Sequence, residues 1–307
     1  MSDEFVTLAN DSLELVFWPA CGGRLISLKV EGAELLWRSA DFFDGETLAR
    51  PRSTWPALDG SMASWANVGG SKTWPAPQGW SGPGEWPGPP DPVLDSGIWS
   101  IRQAERDGAR EVTLASPVDP RSGLQVTRQF TLPGQGRSFR QLNTFTNASD
   151  SPIRWSIWEV CQADTAGCEH GGELRVSVSD GREPQVMIEA FGTMPVGTVR
   201  DGQRVLRVPE AVGKLGFPNA TGSVELARPD GAALRLEFVP DPAASYPDGG
   251  SRVELWLQCP IAEPLAEFSG LHPRAWLAEL EVLGPLRTLM PGETSSLEIL
   301  WSARPPA

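Results

Sequence analysis

Short segments in which apolar and polar residues alternate with a period of two, each closed by Gly, Pro, Asn or Asp, dominate this chain. No stretch carries the apolar period of a long helix. Leu124, Val126, Phe130 and Leu132 share one parity in LQVTRQFTL, and Leu174, Val176 and Val178 share one in LRVSV. The same holds for Ile26, Leu28 and Val30, for Val112 and Leu114, for Leu234, Leu236 and Phe238, and for Val253, Leu255 and Leu257. Such a period buries one face of a strand and leaves the other free for other work. Arg228-Pro229-Asp230-Gly231 and Tyr246-Pro247-Asp248-Gly249-Gly250 read as tight connections between strands. The chain is therefore expected to be all-β, a sandwich or barrel. With 307 residues, no linker-like shift of composition and no fixed repeat, a single domain over 1–307 is expected.

One region breaks the alternation. From Pro51 to Trp99, prolines crowd together with six of the thirteen tryptophans: Trp55, Trp65, Trp74, Trp80, Trp86 and Trp99. This stretch, at about 51–99, is expected to be a long loop region, ordered because it is rich in aromatics and laid over the sandwich. Its tryptophans either anchor that cover to the core or offer a ligand a stacking surface.

Charge and cysteine usage narrow the partners. Asp+Glu 39 against Lys+Arg 26 gives a formal net charge of −13 at pH 7, and such a field repels nucleic acid and anionic membrane surfaces. MSDEFVTLAN is acidic where a secretory signal is basic, and no apolar run reaches spanning length, so a cytoplasmic location is expected. Cys21, Cys161, Cys168 and Cys259 are too few and too unevenly spaced for a disulfide framework, and most read as small core residues. Cys161, Cys168 and His170 form a C-x6-C-x-H run that matches no standard zinc arrangement, so neither metal nor cofactor is expected. GxSxG, GxGxxG, P-loop and HExxH patterns are absent.

The polar faces of three strands suggest chemistry. In VELWLQ that face holds Glu254, Trp256 and Gln258; in IRWSIWEV it holds Arg154, Ser156 and Trp158; in AELEVL it holds Glu279 and Glu281. Indole beside carboxylate, guanidinium and amide matches a saccharide, whose C–H face stacks while its hydroxyls take directed hydrogen bonds. The alternative is an ordinary half-wet antiparallel face. Lys72 in GGSKTW and Arg24 in GGRLISL are further candidate cations, each with a solvated or structural role as its alternative.

Three stretches resemble the galactose-mutarotase-like (aldose 1-epimerase-like) superfamily. NDSLELVFWPACGGRLISLKVEGAELLW resembles its N-terminal opening, and AELEVLGPLRTLMPGETSSLEILW resembles its shared ending. NVGGSKTWPAPQ, from Asn67 to Gln78, resembles the GGxKxWPAPQ signature of a bacterial branch. The resemblance implies a whole-length β supersandwich of mainly antiparallel strands. Aldose 1-epimerases of this superfamily deprotonate the anomeric hydroxyl with a glutamate and protonate the ring oxygen with a histidine. The resemblance places the glutamate at Glu279 or Glu281. Counting from Pro152 puts Trp158 where the histidine stands, and an indole is no general acid near neutrality. His170 and His272 are the candidates for a relocated acid, surface loop histidines being the alternative for both.

Two functions follow as expectations. The first is saccharide binding in a groove walled by Trp74, Trp158 and Trp256, with Lys72, Arg154 and Gln258 as donors, Arg24 and Glu254 beside them, and Glu279 or Glu281 at the centre. The second is an aldose 1-epimerase-type enzyme with Glu281 or Glu279 as base. Glu159 and Gln162 rank behind these, because alternation turns Glu159 away from Trp158 unless a bulge intervenes. A structural protein without a ligand is the third possibility.

Overall fold

The computed structural model describes residues 5–44, 48–50, 61–79, 82 and 84–307. Eleven strands make the larger sheet. Its main path runs Val6–Ala9, Leu13–Trp18, Arg24–Val30, Ser71–Ala76, Ile153–Asp164, Leu277–Leu283, Val253–Gln258, Val212–Phe217, Gln185–Phe191. Ten strands make the second sheet, in which Ala233–Glu237, Thr294–Arg304, Ser138–Asn147 and Leu124–Pro133 are consecutive neighbours. Pairing is antiparallel throughout both, so the architecture is an all-β sandwich.

The alternation seen in the sequence sets what lies between the sheets. Leu124, Val126, Phe130 and Leu132 are buried from the second sheet, and Val253, Leu255, Leu257, Leu280 and Val282 from the larger one. The Arg228–Gly231 segment closes a hairpin, with the Arg228 amide donating to the Ala232 carbonyl at 2.8 Å. All four cysteines are free and buried. At the end of the larger sheet, Gln185–Phe191 shifts register twice against its neighbour, between Val186 and Ile188 and between Glu189 and Phe191. Extra residues of this kind twist an edge strand and spoil it as a template for further pairing.

One part of the expected loop region is a strand. Ser71–Ala76 pairs with Ile153–Asp164 over six residues, although SKTWPA shows no apolar alternation and contains Pro75. The proline is tolerated because the strand meets its other neighbour only at Leu25–Ser71, which leaves that side unpaired at Pro75. Gly69 and Gly70 start it with positive φ, and a Cβ on either would lie 2.3 to 2.5 Å from the carbonyl oxygens of Trp37 and Leu25. Trp55 and Trp80 lie outside the described residues.

The missing alternation in SKTWPA has a physical cause: its inward residues are polar. Ser71 and Thr73 face the second sheet, where Glu159 and Arg128 form a fully buried ion pair at 2.9 Å. Glu159 accepts from Ser71, from Thr73 Oγ1 at 2.5 Å, from Gln141 Nε2 at 2.8 Å and from Asn143 Nδ2 at 3.0 Å. Arg128 donates to the Gly23 carbonyl at 2.8 Å, to the Ser71 carbonyl at 2.9 Å and to Ser71 Oγ at 2.6 Å. Trp301 Nε1 donates to Gln141 Oε1 at 2.7 Å and closes the network. Glu159 thus points away from Trp158, as alternation requires, and joins the sheets. Removing one partner strands a buried charge, so Arg128→Ala and Glu159→Ala should each lower the unfolding free energy in urea by about 3–5 kcal/mol. The double replacement Arg128→Met with Glu159→Leu should cost less than either single change; an equal or larger loss would show that the surrounding hydrogen bonds, not the unpaired charge, dominate.

Candidate functional site

The opposite face of the same strands carries a dense cluster of aromatic and charged groups. Cross-strand pairing places Lys72, Val160, Glu281 and Glu254 in one row. On one side of it, Trp74, Trp158 and Leu283 form a second row; on the other, Gln162, Glu279, Trp256 and Lys214 form a third. The alternation of five strands therefore gathers Lys72, Trp74, Trp158, Gln162, Lys214, Glu254, Trp256, Glu279 and Glu281 on one surface.

Glu254 and Glu281 are direct cross-strand partners, a placement that like charges disfavour. Lys214 resolves it, with Nζ 2.7 Å from a Glu254 oxygen and 2.9 Å from a Glu281 oxygen, and 4.4 Å above the Trp158 ring. Trp158 Nε1 donates to Glu281 Oε2 at 2.6 Å. The trio still carries one negative charge in excess. Burial, together with the Glu254 and Glu279 carboxylates, pushes the Glu281 carboxyl up to about 8 against the pull of Lys214. Burial works against the Lys214 ammonium as well, but Glu254 and Glu281 outweigh it and hold the proton on lysine. A proton on the carboxylate pair is thus what neutralises the cluster below pH 8.

A second lysine sits in a different setting. Lys72 Nζ is 3.4 Å from Glu279 Oε1 and lies 5.3 Å from the centre of the Trp65 ring and 4.6 Å from that of Trp74. Burial, opposed mainly by Glu279, lowers the Lys72 ammonium to about 8. Trp65 is held there by Asp95, whose Oδ2 accepts from its Nε1 at 2.7 Å and whose other oxygen pairs with buried Arg24. Arg24 also donates to the Gly69 carbonyl at 3.0 Å. Gln162 Nε2 donates to Glu279 Oε1 at 2.8 Å. Across the face, Asp248 is raised to about 6 by burial and by Glu254.

Four buried polar atoms on this face bond to no group among the described residues: Trp74 Nε1, Gln162 Oε1, Glu254 Oε1 and Glu281 Oε1. The face reaches solvent at half-buried Trp256, which stands edge-on to Phe268 with ring centres 6.5 Å apart, and at Glu279, whose side chain is 13% exposed. Gln258 is buried beside Trp256 and donates to the Ala275 carbonyl at 3.1 Å.

Other residues singled out in the sequence lie elsewhere. Arg154 shares the parity of Trp158, but it is exposed at the start of its strand, where the neighbour is Arg287–Leu289 and not the glutamate strand. His272 uses both ring nitrogens within its own loop, donating from Nε2 to the Ile261 carbonyl at 3.0 Å and accepting from Arg274 at 3.2 Å. The His170 side chain is 87% exposed, on the rim of a shallow depression lined by Cys168, Gly172 and Arg207. Among the described residues no cluster of His, Cys, Asp and Glu is arranged to hold a metal ion, and no helix is long and apolar enough to cross a membrane. Lys214, Asp95 and Asp248 belong to the cluster without being singled out in the sequence, and Trp65 is singled out there only among the tryptophans of the loop region; a lone lysine in the apolar strand VGKLGF is the one signal available for the first.

The two sheets and their connections define a galactose mutarotase-like fold. Similar structures include a galactose mutarotase-like protein from Lactobacillus casei (TM-score 0.54, 14% identity, 98% of this chain and 100% of that one). A galactose 1-epimerase from Lactobacillus acidophilus matches with TM-score 0.57 and 12% identity over 99% of this chain and 95% of that one. A TPR-domain containing protein from Parabacteroides distasonis matches with TM-score 0.65 and 15% identity over 99% of this chain, which spans only 48% of its length. The chain belongs to the family described as Domain of unknown function (DUF4380), whose model matches residues 4–304. No curated protein matches it.

Glu281 and Lys72 predict how stability depends on pH around neutrality. Glu281 binds its proton more tightly when folded, so its contribution is fully present below the ordinary carboxyl value of 4.5 and is lost as pH rises through about 8. Lys72 releases its proton more readily when folded, so stability is regained as pH rises from about 8 towards 10.5. Urea midpoints measured from pH 5 to pH 10 should therefore pass through a minimum near pH 8. In Glu281→Gln the fall between about pH 6 and pH 8 should vanish, leaving only the part below about pH 6 that Asp248 gives; an unchanged curve would remove Glu281 as its source.

Proposed function

We propose that this chain binds a saccharide on the outer face of its larger sheet, against Trp74, Trp158 and Trp256. The observation that carries this reading is the set of four buried polar atoms beside those indoles that bond to no group among the described residues. An unmet buried donor or acceptor costs about 1–3 kcal/mol, and a ligand rich in hydroxyls meets both kinds at once while its C–H faces pack on aromatic rings. The match to mutarotase-like folds supports the same reading as analogy of fold. Titration with D-glucose, D-galactose and a panel of amino, acidic and phosphorylated sugars should quench the intrinsic tryptophan fluorescence. Trp256→Ala should weaken binding about tenfold. Silence from the whole panel would remove the saccharide reading.

A second reading, an aldose 1-epimerase-type enzyme, is favoured by Glu281 and Lys72 being held at about 8, where each can give or take a proton near neutrality. Saturation-transfer NMR would then show anomer exchange above the spontaneous rate, and Glu281→Gln should lower it by about 100-fold or more.

A further inference from the structure

We infer that Lys72 is the proton donor to the ring oxygen of a bound hemiacetal whose anomeric hydroxyl faces the Glu254–Glu281 pair. The inference rests on the epimerase-type reading and assigns the acid that reading lacks. Opening a cyclic hemiacetal requires one group to take the anomeric proton and another to supply a proton to the ring oxygen from a different side. The row Lys72, Val160, Glu281, Glu254 offers that placement. Strands lie about 4.8 Å apart, so the Lys72 and Glu281 backbones are separated by about 10 Å, with the small Val160 side chain between them. Trp74 and Trp158 border that interval on one side, Gln162 and Glu279 on the other.

The other basic groups near this surface are unsuited to the role. Lys214 is clamped by two carboxylates, and Arg24 is paired with Asp95 and donates to the Gly69 carbonyl. Both nitrogens of His272 are engaged in its own loop. Lys72 has one carboxylate, Glu279, at 3.4 Å, with Arg24 and Asp95 as the other charged groups acting on it. Burial, opposed mainly by Glu279, weakens its hold on the proton, while the Trp65 and Trp74 rings keep the ammonium in place.

In the step, the ionised member of the carboxylate pair takes the anomeric O–H proton, and that O–H electron pair becomes the second bond of the aldehyde C=O. The bond from the anomeric carbon to the ring oxygen breaks, its electrons stay on the ring oxygen, and the Lys72 ammonium protonates that oxygen. Re-closure on the other face of the aldehyde returns one proton to the amine and the other to the new anomeric oxygen. No oxidant or reductant is needed.

The test compares wild type with Lys72→Arg, Lys72→Met and Lys72→His. Binding of D-glucose and D-galactose is read by tryptophan fluorescence, and anomer exchange by saturation-transfer NMR. Lys72→Arg keeps the cation between the indoles and the pairing with Glu279 but does not give up its proton near neutrality. It should bind within about threefold of wild type and lose about 100-fold or more in exchange. Lys72→His should regain about tenfold of that loss, with its rate falling at lower pH than in wild type. A purely structural lysine would instead be rescued by arginine, so exchange retained in Lys72→Arg overturns the inference even if Lys72→Met fails to fold. Wild type that binds either sugar without exchange also overturns it and leaves the binding reading standing. Wild type that binds neither sugar, nor any of the wider panel, ends both.

Discussion

The ion pair between Arg128 and Glu159 is the interaction on which the rest of the molecule depends. It lies between the sheets with both side chains fully buried, and its hydrogen-bond partners come from two further strands, Ser71–Ala76 and Ser138–Asn147, and from the segment at Gly23. Such a pair adds little net stability over well-packed apolar residues. What it supplies here is placement. Ser71 and Thr73 bond to Glu159 on one side of a strand whose opposite side carries Lys72 and Trp74, and Glu159 itself is followed by Val160 and preceded by Trp158. The core network and the candidate site are two faces of the same backbone, so ordering one orders the other.

On the site face the electrostatics differ in kind from those of the core. Arg128 and Glu159 are matched one to one, whereas Glu254 and Glu281 share a single lysine and Lys72 has one carboxylate at 3.4 Å. Groups left incompletely compensated under burial are the ones whose proton affinities drift towards neutrality, and beside them stand indoles and polar atoms that bond to no group among the described residues. Trp158 belongs to the same design. Its indole gives Glu281 a fixed N–H donor and gives Lys214 a ring to lie on.

Much of this was legible in the sequence because strand period is two. Parity alone put Glu254, Trp256 and Gln258 together, set Glu279 with Glu281, and turned Glu159 inward. Parity does not say how far along a strand a residue lies, and so Arg154 was grouped with Trp158 although its end of the strand has a different neighbour. Nor does it register polar residues that face inward. SKTWPA was hidden inside an aperiodic stretch because Ser71 and Thr73 serve a buried carboxylate, and Pro75 argued further against a strand. Lys214 was invisible for the converse reason: one lysine on a strand face reads as solvent-facing until its cross-strand neighbours are known. Trp65 and Asp95 come from the covering segment, where no period exists to read.

The division of labour within Ser71–Ala76 bears on which changes this segment can accept. Substitutions act on one face at a time, replacing either a core ligand of Glu159 or a residue of the site. Insertion or deletion of one residue acts on both at once, because it would carry Lys72 and Trp74 into the interior and bring Ser71 and Thr73 out. The two glycines before it cannot absorb the slip, since their close approach to Trp37 and Leu25 pins the strand's beginning. Length, more than composition, is the inherited constraint on this stretch of chain.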